Sequence, residues 1–244
     1  MGKGQENEDS QAGDAEADEK GNSSETVREG IVLNKPYLAV TPLAVYLLKN
    51  GAKLVISKGS VVEFSGDAIV NAANRGGLIG GGVDGAIARA GGEELAKARE
   101  ALPTMEDGSR IKEGGAVITV GGSLNARYCI HAVGPDYMML DDKDKGNQLL
   151  YSAYKEAMTR AKEKELKTIA FSLISAGIYR GDCSLDHVLS IGLKSIAANT
   201  YDGLDEVHLV GFTMKEIKAL LKSSRHIFAE SSVSSDGQKP ANTK

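Results

Sequence analysis

Residues 67–85 read Asp67-Ala68-Ile69-Val70-Asn71-Ala72-Ala73-Asn74-Arg75-Gly76-Gly77-Leu78-Ile79-Gly80-Gly81-Gly82-Val83-Asp84-Gly85. The apolar, β-branched run at its start has the composition of a strand buried on both faces, and a helix is expected from Val83 onward. A glycine-rich loop joins the two. Consecutive glycines remove side chains, so backbone N–H groups can approach a ligand closely, and the helix start favours negative charge; together they suit a phosphate. A simple turn needs one glycine. The run Gly80-Gly81-Gly82 carries an entropic cost that a binding use accounts for and a bare turn does not.

This stretch fits two other phosphate-binding patterns poorly. Gly80, Gly82 and Gly85 match G-x-G-x-x-G in form, but in a dinucleotide fold those glycines follow the strand almost directly. Here Asn71 to Ile79 intervene, so hydride transfer is not expected. No G-K-[ST] closes the loop, so it is not a Walker loop either.

Working outward, Ser172-Leu173-Ile174-Ser175-Ala176-Gly177-Ile178-Tyr179-Arg180-Gly181-Asp182 again carries a buried strand into a helix. In open α/β sheets ligands settle outside the carboxyl ends of the strands, and two such loops on neighbouring strands can clasp a pyrophosphate from both sides. Asp84 falls at a helix start, where a carboxylate favours the helix dipole. Beside a phosphate it opposes the ligand's charge, and its presence makes sense if it accepts hydrogen bonds from sugar hydroxyls. Asn74 either serves the same ribose or ties the loop to its own backbone. Tyr179 anchors the second loop or meets ligand, and Arg180 faces solvent or balances phosphate charge. His131 lies in an apolar strand and is expected to be a satisfied core histidine.

Strands are expected at Leu43–Leu48, Lys53–Ser57, Asp67–Ala72, Ala116–Val120, Tyr128–Val133, Thr168–Leu173 and Glu206–Phe212. Helices are expected at 83–90, 93–102, near 147–164, after Asp182 with Leu185, Val188, Leu189, Leu193 and Ile196 on one stripe, and at 214–221. The alternation gives an α/β class with a central mixed sheet between helices. Residues 1–30 hold nine Asp/Glu against three Lys/Arg and almost no large apolar side chains, so 1–30 is expected to be a disordered acidic tail. A folded domain at 31–230 and a short disordered C-terminal tail at 231–244 complete the expectation.

The 244 residues carry a net charge of −4, so the part beyond the acidic tail is nearly neutral. With no Trp, 5% aromatics and no basic block, a nucleic-acid surface is not expected. Two cysteines give neither a disulfide framework nor a paired-cysteine zinc site; no metal and no cofactor are expected. No apolar run approaches the length of a membrane span, and no secretory or mitochondrial leader pattern opens the chain. An intracellular monomer, cytoplasmic or nuclear, is the expectation.

These loops resemble the macrodomain family, in particular its MacroD-type branch: Asp67 to Asn74 matches its D-A-I-V-N-A-A-N, and Gly80 to Gly85 its G-G-G-V-D-G. Ala116-Val117-Ile118-Thr119, Tyr128 to Pro135 and Ser175-Ala176-Gly177-Ile178-Tyr179 resemble further family blocks in order, so that the likeness spans about 53–222. Lys58-Gly59-Ser60-Val61-Val62 is most similar to macrodomains of kinetoplastid parasites. The resemblance implies a three-layer α/β/α macrodomain that binds ADP-ribose. It also implies hydrolysis of the ester bond of mono-ADP-ribosylated Asp/Glu and of O-acetyl-ADP-ribose, with modified proteins as partners. Carried over by motif, Asn74 and Asp84 serve the distal ribose as catalytic residues. Ser60, Val61 and Ala73 bind substrate, as do Gly81, Gly82, Val83 and Ser175, Ala176, Gly177, Ile178 and Tyr179, whose backbone takes the phosphates, and Phe212, which takes the adenine face.

Two positions depart from the family pattern. Ser60 stands where the family usually has an Asp that accepts from the adenine amino group, and a neutral hydroxyl is the weaker acceptor. Ala88 stands where many MacroD-type members have His, so a mechanism that needs that histidine cannot operate. Alternatives of other classes are a non-catalytic ADP-ribose reader and a binder of nucleotides or single-stranded nucleic acid.

Overall fold

The computed structural model describes residues 40–233. The acidic segment 1–30 and residues 234–244 of the expected C-terminal tail lie outside the described residues. Seven strands form one sheet: β1 (Val40–Leu47), β2 (Lys53–Gly59), β3 (Ala68–Ala72), β4 (Ala116–Val120), β5 (Tyr128–Ala132), β6 (Thr168–Phe171) and β7 (Glu206–Gly211). Their order is β1-β2-β7-β6-β3-β5-β4. The inner pairs β2/β7, β7/β6, β6/β3 and β3/β5 are parallel, and β1 and β4 close the two edges antiparallel. The expected mixed sheet is what forms.

Period-two alternation along the strands divides their side chains between two cores, one on each face of the sheet. Val70, Ile130, Phe171 and Leu209 face a large apolar core built with α2 (Lys143–Glu163), α3 (Leu185–Ala198) and α4 (Met214–Val233). Ile69, Cys129, Ala170 and Val210 face a smaller one under α1 (Gly82–Glu100) and a short 3-10 turn at Val61–Glu63. Three helices, the sheet, then α1: the three layers are those expected. Asn71 and His131 fall on the α1 side of the sheet, because they continue the series Ile69, Asn71 and Cys129, His131.

Several boundaries differ from the sequence expectation. β1 starts at Val40 rather than Leu43, because an edge strand tolerates Pro42, where the register with β2 shifts between Pro42 and Ala44. α4 continues past Leu221 to Val233, carrying Ile227 and Phe228 against the large core. The two helices expected at 83–90 and 93–102 do form within α1, joined at Gly92, whose φ 66° and ψ −158° make a conformation open essentially to glycine alone. There the helix axis breaks and the second half turns back.

Because five neighbouring strands run parallel, their carboxyl ends share one side of the sheet. Ser60 follows β2, Phe212 follows β7, the Ser172–Tyr179 loop follows β6, and Ala73 to Gly81 follow β3. The candidate residues, dispersed over 153 positions of sequence, are gathered by topology into one row.

Candidate functional site

A cavity of about 460 Å³ opens at the carboxyl ends of β3 and β6. Its walls are the two loops singled out in the sequence. Ala73, Asn74, Gly81, Gly82, Val83 and Asp84 come from the first; Ser175, Gly177, Ile178 and Tyr179 come from the second. The size is that of a site for a ligand of nucleotide scale. The first turn of α1 opens on it, with amides that have no partner within the helix.

The second loop is held from beneath. Ser175 has φ 52°, a left-handed conformation that strains a residue with a Cβ, and its hydroxyl donates to the Pro135 carbonyl at 2.8 Å. The Ile174 amide donates to the buried Tyr154 hydroxyl of α2 at 3.1 Å, and the Tyr137 amide to the Tyr179 carbonyl at 2.8 Å. Ala176 is buried in the large core and does not line the cavity. The Arg180 guanidinium donates to the Cys183 carbonyl, so it caps its own turn instead of reaching the cavity.

Asp84 is 3% exposed, far more deeply set than a carboxylate that merely favours a helix dipole. Its Oδ1 accepts from Asn71 Nδ2 at 2.7 Å and lies 2.9 Å from Arg99 Nη1. Its Oδ2 has no hydrogen-bond partner among the described residues. A Cβ at Gly80 would lie 2.6 Å from that Oδ2 and 3.0 Å from Asn74 Nδ2, so both side chains converge over a position that only glycine can fill. Asn74 also ties its loop: Nδ2 donates to the Ile79 carbonyl at 3.2 Å and Oδ1 accepts from the Gly77 amide at 3.2 Å.

Behind Asp84 a buried polar chain runs across the sheet. Asn71 Nδ2 also meets His131 Nδ1 at 3.1 Å, and His131 Nε2 meets Thr119 Oγ1 at 2.9 Å. The amide can only donate, so Nδ1 accepts and the imidazole proton sits on Nε2. Burial, with the Arg99 charge adding to it, pushes His131 down to about 3, which keeps the ring neutral. His131 is the satisfied core histidine expected, one that serves the site from behind.

The adenine-side candidates stand apart. Ser60 precedes the 3-10 turn, half-buried, and its side chain makes no capping bond. The Val61 side chain is buried in the smaller core, leaving only its backbone for a ligand. Phe212 is 75% exposed at the end of β7. None of the three lines the cavity between the glycine loops. Register pairs Lys58 with Gly211, so Ser60 and Phe212 continue adjacent strand ends beside it.

Sequence reasoning missed Asn71 and Arg99. The one signal for Arg99 was its place four residues after Leu95 on the buried stripe of a helix, where a charge needs a partner.

A model of the Macro domain family matches residues 70–190. The chain is 38% identical over 173 residues to a macro domain-containing protein of Caldanaerobacter subterraneus, a match covering 71% of this chain and 90% of that protein. The chain belongs to the macro domain family. Another macro domain-containing protein, from Streptomyces coelicolor, is 37% identical over 166 residues, with 68% of this chain and 95% of that one covered. Among solved structures, the Oceanobacillus iheyensis macrodomain with ADP superposes with a TM-score of 0.70 at 30% identity, covering 78% of this chain and 98% of that one. A kinetoplastid macrodomain, that of Trypanosoma brucei in complex with ADP-ribose, gives 0.59 at 30% identity, covering 70% and 68%.

Proposed function

We propose that this macrodomain binds ADP-ribose and hydrolyses its ester conjugates, those on Asp/Glu side chains of mono-ADP-ribosylated proteins and O-acetyl-ADP-ribose. The observation that carries this reading is the cavity between the two glycine loops with one unpartnered, buried carboxylate oxygen, Asp84 Oδ2, at its wall. Solved relatives of the same fold hold ADP and ADP-ribose. Loop amides and the first turn of α1 take the phosphates. Asp84 and Asn74 take the distal ribose, and Phe212 stacks on the adenine while Ser60 faces its edge.

In the reaction one water is consumed, the ester is cleaved, and ADP-ribose leaves with the freed carboxylic acid. Asp84 Oδ2 accepts a hydrogen bond that orients ribose and water, and the substrate's own phosphate assists in orienting or deprotonating that water. No imidazole is asked to take part: Ala88 lies one helical turn beyond Asp84, and His131 and His208 are fully buried outside the cavity.

A second reading, a non-catalytic ADP-ribose reader, is favoured by that same lack of a histidine at the cavity wall among the described residues. Incubating the protein with an Asp/Glu-ADP-ribosylated target and following free ADP-ribose separates the two. Release above the uncatalysed rate supports the hydrolase; tight binding without release establishes the reader.

A further inference from the structure

Arg99 lies in neither loop, yet it holds the first of them at two points. Nη1 sits 2.9 Å from Asp84 Oδ1, and Nε donates to the Gly77 carbonyl at 2.8 Å. The guanidinium is 1% exposed. In an unbroken helix the fifteen residues from Asp84 to Arg99 would separate them by about 22 Å. The break at Gly92 folds the second half of α1 back, and the two ends meet.

Burying a charge pair is a poor way to gain stability, since apolar residues of similar volume often do as well or better. The contacts show another use. Asn71 donates to Oδ1 and the Arg99 charge lies against the same oxygen, which draws Oδ1 inward and leaves Oδ2 beside Gly80 at the cavity wall. The same rigid fork grips the loop at Gly77, so one planar group sets both the aim of Asp84 and its distance from the opposite strand of the loop. A lysine ammonium, a point charge on a flexible stem, cannot hold both partners in that geometry.

The geometry points to Arg99 as the positioning residue that makes the cavity select ADP-ribose over ADP, by aiming Asp84 Oδ2 at the distal ribose. This rests on the ADP-ribose reading above. ADP lacks the distal ribose and therefore measures the rest of the site.

The test is calorimetry of the full chain with ADP-ribose and with ADP, comparing the parent with Arg99→Lys and Arg99→Met, each checked by its melting curve. In Arg99→Lys the ADP-ribose affinity is expected to fall at least about threefold while ADP stays within about twofold, and Arg99→Met to fall further on ADP-ribose alone. The lysine variant keeps the buried charge and decides the matter even where the methionine variant fails to fold. Equal losses on both ligands, or less than threefold on ADP-ribose, overturn the inference and leave Arg99 a structural residue. A parent protein that binds neither ligand brings down the ADP-ribose reading itself, and that is seen before any variant is compared.

Discussion

The two ends of the site are built differently. At the β3 and α1 end, Asp84, Asn71, His131 and Arg99 are all buried and bonded to one another, and a glycine is required where their neighbours converge. At the β2 and β7 end, Phe212 is 75% exposed and the Ser60 side chain makes no capping bond. A reacting centre needs groups held to fractions of an ångström, whereas a base needs only a surface to lie on. Under the proposed function, the first end supplies geometry and the second affinity.

The largest expected effect is on stability, and only at the first end. Asp84→Leu leaves the Arg99 charge buried without its counter-ion and should cost about 3–5 kcal/mol in urea unfolding. Asp84→Leu/Arg99→Met should recover most of it, and Phe212→Ala should stay within about 0.5 kcal/mol. Comparable losses for Asp84→Leu and Phe212→Ala would erase the contrast.

Acid should also bear on that end. His131 is held down to about 3, against about 6.5 in the unfolded chain, first by burial and then by the Arg99 charge. Below pH 6.5 the unfolded chain therefore takes up a proton that the folded chain refuses, and stability falls as pH drops from 6.5 toward 3. Between pH 7 and pH 5 this one ring should contribute a loss of about 2 kcal/mol. Burial lowers His208 as well, so the distal share is the part of the pH slope that disappears in His131→Gln. A slope unchanged in that variant would mean the network does not need a neutral ring.

Much of this was legible in the chain and some was not. The strand, glycine loop and helix at 67–85 announce themselves by local composition, and two helices were expected at 83–90 and 93–102, on either side of the break at Gly92. The Asp84–Arg99 pair was not, since helical rise alone separates the two; their meeting depends on a backbone angle at Gly92. Asn71 and His131 become partners only because β3 and β5 are neighbours, and strand order is a property of the whole sheet. Asp84's burial likewise comes from what folds over it. Phe212 was readable as a strand end, but its exposure depends on the loops around it.

Smaller effects belong to ligand binding. Gly80→Ala would set a Cβ 2.6 Å from Asp84 Oδ2, and since Asn71 and Arg99 hold that carboxylate the misfit falls on the ribose contacts. ADP-ribose affinity by calorimetry should drop by about tenfold or somewhat more, equivalent to roughly 1.4 kcal/mol or above. An unchanged affinity would show that Oδ2 is free to move. At the other end, Ser60→Asp should tighten ADP-ribose binding by about tenfold or less, because a charge-assisted bond to the adenine amino group replaces a neutral one at a half-exposed position. The same variant should reject inosine diphosphate ribose, which presents an oxygen there, more strongly than the parent does. No change with either ligand would move the adenine elsewhere.

The division between the two ends is tested most directly by measuring turnover at saturation and ADP-ribose Kd side by side in Asp84→Asn and Phe212→Ala, with a mono-ADP-ribosylated glutamate substrate. Asp84→Asn should lower kcat by about a hundredfold or more, while Phe212→Ala should raise Kd by about tenfold and leave kcat near that of the parent. Equal losses of kcat in the two variants would contradict the account.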